Sequence, residues 1–546
     1  MRKRWILLAA AAAVAVGGWQ LFEANKYRLP GLVQRLTDPV QPNQPVAWSK
    51  GPDTPAAPPE ARPPNIILIV VDDLGINDIS AFGGGHVPTP AIDALMKEGA
   101  SVDRFYTANA TCSPSRAAMM TGRYPTRFGF EFTAVPKSFA QNIAHTEEIG
   151  PLRPIYFADR AKDVPPYEDM GMPASEVTVA EVLKQAGYQT LHIGKWHLGV
   201  ARGMRPEDQG FDESLGIMGG AGLFLPKDSA EVENAYLPWD PIDRFIWANL
   251  PYAVQWNGGR HFAPRGYVTD YFTDEAIAAI EANRNRPFFL YLAHTAPHTP
   301  LQALKRDYDK LDHIKDHNRR VYAAMIVALD RSVARIRAKL AAEGLDRNTL
   351  ILFTSDNGGA WYVGMDDLNT PYRGWKATFF EGGVRAPMFL TWPARIAPGT
   401  RMASPAGHWD LLATIAGAAG PQAVAAIPTD RVIDSRSILD GAIDTPRPLF
   451  WKSGHYRAVL DGGWKLQTSE RPERSWLFNL AEDPTEQTDL SAIRPDKVAE
   501  LKARLDTHDA GMPRPLWPAL LEGPVRIDVP SNAPWKDGQQ YVYWAN

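Results

Sequence analysis

A single cysteine, Cys112, stands in a chain of 546 residues. That count excludes a fold stapled by intramolecular disulfides and leaves stability to packing. Charge of one sign is equally scarce: 58 basic residues face 62 acidic ones, for a net charge of -4. No overall field draws in nucleic acid or a membrane surface, so no nucleic-acid partner is expected and any anion must be captured by local groups. Long apolar runs are wanting too. The stretch from Trp5 to Trp19 falls short of the roughly 20 residues that usually cross a bilayer. It follows a basic start, MRKR, and residues 1–24 read as a secretory signal peptide, or as an N-terminal anchor where they are left uncleaved. The expectation is an exported protein, periplasmic or secreted, and held to a membrane only if that segment is kept. Internal repeats are missing, which sets aside solenoids and propellers.

What is present is first a proline-rich stretch, DPVQPNQPVAWSKGPDTPAAPPEARPP over residues 38–64. Prolines remove backbone donors and favour extended, solvated chain, so residues 25–64 read as a linker that tethers the body. The run NIILIVV, Asn65–Val71, is continuously apolar after Asn65 and rich in β-branched residues, as a strand buried on both faces of a parallel sheet would be. It ends abruptly in Asp72-Asp73. A second such run, TLILFTS from Thr349 to Ser355, ends in Asp356-Asn357. In open α/β sheets ligands bind beyond the carboxyl ends of the strands, and four oxygen-bearing side chains meeting there would suit a hard cation, Ca²⁺ or Mg²⁺. Either pair alone also reads as ordinary turn chemistry.

The cysteine lies in TCSPSRAAMMTG, Thr111 to Gly122. Ser113 reads as an N-cap and Pro114 as the first helical residue, with a glycine stop, which puts Cys112 at a helix N-terminus where backbone N–H groups favour an anion. Arg116, one turn in, adds a planar fork for oxyanions. Two further strand ends, in YQTLHIGKWHLG and PFFLYLAHTAPHTP, present Lys195 with His197 and then His298. YRGWKATFFEGGVRAP offers Lys376. Arg385 is left open between structure and substrate, His192 reads as core packing, and His294 is undecided. The stretch His317 to Leu345 has helical spacing and reads as a cover on the sheet. Short strands around Gly462-Gly463 open a second, antiparallel unit, and PDKVAELKARLDTHDAG reads as a closing helix. The segments 130–175 and 219–262 carry no motif and read as the pocket mouth; the second holds YLPWDPIDRFIWANLPYAVQWNGGRHF, whose Trp and Tyr side chains either pack or stack on an aryl or sugar leaving group.

The segments CSPSRAAMMTGRYPTRFG, GYQTLHIGKWHLG, APHTP, FTSDNGG and EGGVRAP occur in the order found in type I sulfatases. The chain resembles these formylglycine-dependent enzymes of the alkaline phosphatase superfamily from about Asn65 to Pro393, with weaker matches such as WLFNLAEDPTEQTDL beyond. The resemblance implies an α/β fold: a large central mixed, mostly parallel sheet flanked by helices in a catalytic domain over 65–440, and a smaller antiparallel-sheet subdomain over 441–546. It implies that a formylglycine-generating enzyme converts Cys112 to Cα-formylglycine, whose hydrate carries two hydroxyl groups. It implies that Asp72, Asp73, Asp356 and Asn357, completed by the modified Cys112, hold Ca²⁺ rather than Mg²⁺. Arg116, Lys195, His197, His298 and Lys376 resemble the residues that hold the diol, neutralise sulfate oxygens and move protons. One diol oxygen would attack sulfur while His298 or Lys376 protonates the departing alcohol, and His197 would then take the proton that lets sulfate leave. The expected substrate is an aryl or carbohydrate sulfate ester. A phosphonate or phosphate ester hydrolase of the same superfamily, a non-catalytic binder of sulfated glycans and a thiol hydrolase using Cys112 with a histidine are the alternatives.

Overall fold

The computed structural model describes residues 19, 25–144, 151–429 and 434–546. All but Trp19 of the expected signal or anchor segment lies outside the described residues, and among these no helix is long and apolar enough to cross a membrane. A nine-stranded sheet forms the centre, from β1 (Asn65–Val71), β2 (Ala100–Val102), β3 (Gln189–Lys195), β4 (Glu213–Ile217), β5 (Gln255–Trp256), β6 (Phe288–Ala293), β7 (Thr349–Ser355), β8 (Met388–Thr391) and β9 (Thr400–Met402). Their order is β9-β2-β8-β7-β1-β6-β3-β4-β5. The inner five, β7-β1-β6-β3-β4, run parallel, and antiparallel partners flank them on both sides. This is the mixed, mostly parallel sheet that the resemblance implies.

The β-branched run of β1 is buried on both faces because successive side chains alternate across a strand. Ile67, Ile69 and Val71 enter one core beneath the helices Val268–Asn283 and His317–Ala342. Ile66, Leu68 and Val70 enter a second core with Met119 and Met120 of the helix Cys112–Thr121 and Leu411 and Ile415 of the helix Leu411–Ala419. A four-stranded antiparallel sheet follows from β10 (Leu449–Ser453), β11 (Tyr456–Asp461), β12 (Trp464–Glu470) and β13 (Glu473–Asn479), joined in sequence. The helix Pro495–Ala510 covers it, with Leu501 and Leu505 against Val459, Leu466 and Leu477. The chain then returns to the body around the nine-stranded sheet. The strands Leu521–Arg526 and Tyr541–Ala545 pair with each other, and the first adds the short strand Ile155–Tyr156.

The structure differs from the sequence reading in two local respects. Residues 38–64 are extended but they are strapped to the body rather than free: the Ser49 N–H and Oγ donate to Glu213 at 2.8 and 3.0 Å, and Trp48 Nε1 donates to Glu275 at 3.0 Å. Prolines limit the ladder bonds of the segment, where Gln41 bridges Phe262, and leave its other polar groups free to bind a neighbouring surface. The helix at the cysteine begins at Cys112, not at Pro114, and its N-cap is Thr111 in an extended conformation (φ -141°, ψ 160°). Pro114 is tolerated there because the first-turn N–H groups have no partner within the helix.

Candidate active site

Strand register builds the site. Val71 of β1 pairs with Ser355 of β7, so Asp72-Asp73 and Asp356-Asn357 leave the sheet side by side. On the other flank Val70 aligns with Ala293 of β6, which aligns with Gly194 of β3. The segments carrying His298 and Lys195-His197 therefore emerge from the same edge. Gly194 (φ 116°) has to be glycine, because a Cβ there would lie 1.9 Å from the Ala293 carbonyl oxygen. The helix Cys112–Thr121 points its first turn at this edge, and Cys112 is only 3% exposed. All ten residues singled out from the sequence converge here.

Each of the three carboxylates holds its own cation. Lys195 Nζ donates to Asp72 Oδ2 at 2.7 Å. Lys376 Nζ donates to both Asp73 oxygens at 2.7 and 2.8 Å. Arg116 Nε and Nη2 both meet Asp356 Oδ2, at 2.8 and 2.7 Å, and its Nη1 donates to the Lys195 carbonyl at 3.0 Å. The Cys112 thiol lies among them, 3.6 Å from Asp72 Oδ1. Burial opposes its ionisation, but Lys195 and Lys376 outweigh burial and bring the thiol down to about 7. Burial likewise pushes the Asp73 carboxyl up, yet Lys376 and His298 hold it well below the usual carboxylate range. Asp356 goes the other way, up to about 6, through burial and the neighbouring Asp72 charge.

The two histidines are set in opposite states. His298 Nδ1 donates to the Thr299 carbonyl at 2.6 Å, which leaves Nε2 facing the site, 3.7 Å from Asp73 Oδ2. Burial disfavours its charge, but Asp73 and Asp72 raise its affinity for a proton above the ordinary value. His197 is held well below that value by burial, Lys195 and Arg116, so it stays neutral, and its buried Nδ1 has no hydrogen-bond partner. Its backbone is left-handed, at φ 59°. Gly220 sits against the ring, where a Cβ would lie 2.9 Å from Cε1.

The donor set fits a hard divalent cation. Ligand atoms of Asp72, Asp73, Cys112 and His298 lie within 4.8 Å of one another. Asn357 donates its amide to Asp73 Oδ1 at 2.8 Å and keeps a buried Oδ1 with no hydrogen-bond partner, an oxygen of the kind a hard cation takes. His298 joins this group by position, although the sequence placed it among the proton carriers. Asp356 stands at its edge, with Oδ2 taken by Arg116 and Oδ1 receiving the Asp73 N–H at 3.3 Å.

Tyr362 stands at the site outside every motif. It donates to Asp73 Oδ2 at 2.6 Å and receives a bond from Lys376 at 3.1 Å. A tyrosine in a loop reads as packing, so nothing in the sequence marks it. Arg385 proves structural, donating to Glu381 at 2.8 Å and to the Asp103 carbonyl at 2.5 Å. Glu381 in turn meets Lys465 of β12 at 2.8 Å, and Lys465 also meets Glu486 at 3.0 Å. This buried cluster ties the turn after Lys376 to the C-terminal sheet. His192 bonds Ser214 and His294 bonds Ser332, both inside the body.

A cleft of about 1110 Å³ opens from Cys112, His197, His298 and Lys376. Its walls come from both segments expected at the mouth, including Val135, Phe139 and Leu152 from the first and Trp239, Ile242 and Phe245 from the second. The C-terminal strand pair adds Leu521, Val525 and Trp544, and the helix Leu29–Thr37 adds Pro30, Gly31 and Gln34. The walls away from the charged floor are largely apolar, and Arg526 on them is bound to the carbonyls of Pro530 and Ser531.

A family model described as Sulfatase matches residues 64–421. Among curated proteins, the N-acetylgalactosamine-6-sulfatase of Rattus norvegicus is 34% identical over 414 residues, covering 74% of this chain and 71% of the relative. The steryl-sulfatase of Mus musculus is 32% identical over 446 residues, covering 71% of this chain and 66% of the relative. Among solved structures, that of Ps i-CgsB in complex with k-i-k-neocarrahexaose matches with a TM-score of 0.69 at 30% identity, covering 84% of this chain and 95% of that one.

Proposed function

From the premise that this chain belongs to the sulfatase family and is a sulfuric ester hydrolase, we propose that it opens the ester at residue 112, with a formylglycine there and a divalent cation beside it. The supporting observation is convergence: Arg116, Lys195, Lys376 and His298 face the one residue that Asp72, Asp73 and Asp356 also surround. Asp72, Asp73, Asp356 and Asn357 would hold the cation, Ca²⁺ in preference to Mg²⁺, which would supply Lewis acidity and add positive charge where four basic side chains already face three carboxylates. Formylglycine, made from Cys112 by a generating enzyme, supplies as its hydrate an oxygen nucleophile in place of the thiol.

The chain's own groups supply the rest. Lys195, Lys376 and Arg116 are buried cations, and in a dry site they stabilise charge on the sulfo oxygens far better than they would in water. His298, with Nδ1 fixed on a carbonyl and Nε2 turned inward, is the proton donor to the departing alcohol. His197, kept neutral by burial and its cationic neighbours, is the proton acceptor for the second half of the reaction. The apolar walls exclude water from the charged floor and hold the leaving group.

The test is sulfate release by the calcium-loaded protein from aryl and sugar sulfates, with matched phosphonate esters alongside and mass analysis of the peptide spanning Cys112 to Arg116. Sulfate release accompanied by oxidised residue 112, both absent in Cys112→Ala, is the expected result. Faster turnover of the phosphonates, or release by Cys112→Ala at the wild-type rate, would overturn the assignment.

A further inference from the structure

The helix Leu29–Thr37 has one face fixed and one face bare. Its inner face is clamped on the helix Pro241–Asn249: the Gly31 N–H donates to Asn249 Oδ1 at 2.6 Å, Asn249 Nδ2 donates to the Tyr27 carbonyl at 2.8 Å, and a Cβ on Gly31 would lie 2.8 Å from the Asn249 Cα. Pro30, Gly31 and Gln34 on this side line the active-site cleft. The opposite side carries Leu29, Leu32, Val33 and Leu36, spaced i, i+3, i+4 and i+7 as a single apolar stripe. These four are 41, 47, 55 and 75% exposed. A stripe of this kind on a soluble helix ordinarily faces a core, and here it faces outward at the rim of the cleft.

Two features of the chain say what covers it. From Asn25 to Thr37 there are three basic residues, Lys26, Arg28 and Arg35, and no acidic one, the pattern of a helix that lies in the headgroup region of an anionic bilayer. The apolar run from Trp5 ends at Trp19, ten residues before Leu29, so a retained N-terminal segment would bring the helix to the membrane surface. We propose that the outer face of the helix Leu29–Thr37 lies on an anionic lipid surface and holds the mouth of the cleft against it, so that the ester substrate is an amphiphile drawn from that surface. The docking half stands by itself; the substrate half rests on the sulfatase reading. The apolar cleft walls would receive the lipid-soluble body of the ester while the charged floor receives its sulfate.

The experiment uses the full exported protein and two readouts. In the first, Leu36→Cys carries an environment-sensitive dye, which Cys112 does not take up because it is buried, and phosphatidylglycerol vesicles are added. The dye should pass from water to an apolar setting, and lipid-borne quenchers should reach it. A dye unaffected by vesicles, or one already shielded without them because residues 1–24 or a second copy cover the stripe, overturns the proposal. In the second, the double variant Leu32→Glu, Leu36→Glu is assayed with 4-nitrophenyl sulfate in solution and with a long-chain alkylphenyl sulfate carried in the same vesicles. The kcat/KM for the vesicle-borne ester should fall more than tenfold while that for the soluble ester is unchanged. Equal effects on both substrates refute the delivery role. No turnover of either by the wild-type protein refutes the sulfatase reading instead, and the dye measurement still decides docking.

Discussion

Lys465 is buried between two acids, Glu381 and Glu486, with Nζ 2.8 and 3.0 Å from their oxygens and all three side chains fully enclosed. Lys465→Met keeps the shape of the stem and removes the charge. Losing one partner of a buried ion pair costs about 3–5 kcal/mol, because the remaining charge has neither water nor a counter-ion. Glu381 keeps Arg385 at 2.8 Å, so the burden falls on Glu486, which burial and Glu381 already push up to about 7. Changing Glu486→Gln as well removes that stranded acid, and the double variant should recover about 2 kcal/mol relative to Lys465→Met, a coupling in the range seen for residues in contact. Chemical denaturation followed by tryptophan fluorescence measures each corner of the cycle. A loss below about 1 kcal/mol for Lys465→Met, or strictly additive corners, would refute the view that this cation holds the C-terminal sheet to the catalytic body. The turn it secures includes Glu381 and follows Lys376, so kcat should fall together with stability.

Asn357→Ala removes the orphaned amide oxygen, and the calcium concentration giving half-maximal activity should rise about tenfold or more, equivalent to about 1.4 kcal/mol; an unchanged calcium titration would exclude Asn357 as a ligand. Gly220→Ala places a methyl group against the His197 ring, and kcat should drop about tenfold or more with the denaturation midpoint unmoved, whereas unchanged kcat would dissociate ring position from rate. Asp78 is pushed up to about 7, chiefly by burial, so the folded chain keeps a proton there that the unfolded chain releases near pH 4. That contribution to stability is complete below pH 4 and is lost as pH rises to 7. Asp78→Asn should therefore gain stability relative to wild type between pH 4.5 and pH 8, and a pH-independent difference in urea midpoints would refute the shift.

Much of the site was legible because its geometry follows from local pattern. Two apolar strand-forming runs that each end in a pair of oxygen-bearing side chains must place those pairs together once the strands align in parallel, and Asp72-Asp73 beside Asp356-Asn357 is the result. The closing helix and the hairpin at Gly462-Gly463 were legible from their caps and turns. Groups that act at long range were not. Glu381, Lys465 and Glu486 carry no periodic signal, and their value to one another arises only when tertiary packing removes water from all three. The strand Leu521–Arg526 contains Gly523 and Pro524, which argue against a strand, yet Pro524 sits in a short ribbon with few ladder bonds to lose. The helix Leu29–Thr37 was hidden because Pro30 and Gly31 weaken its propensity; Pro30 is harmless in the first turn, and Gly31 is required where Asn249 approaches.

The depth of Cys112 fixes an order of events. Its walls include Asp73 and Lys376, which touch across 303 positions of chain, so the chamber cannot close until most of the polypeptide has left the ribosome. Once closed, it admits no second protein to the thiol. On the proposed reading, in which a generating enzyme oxidises that residue, the oxidation would have to outrun folding, and a molecule that folds first would be trapped as the thiol form. Variants that fold more slowly should then yield a larger active fraction, even where each active molecule is less stable.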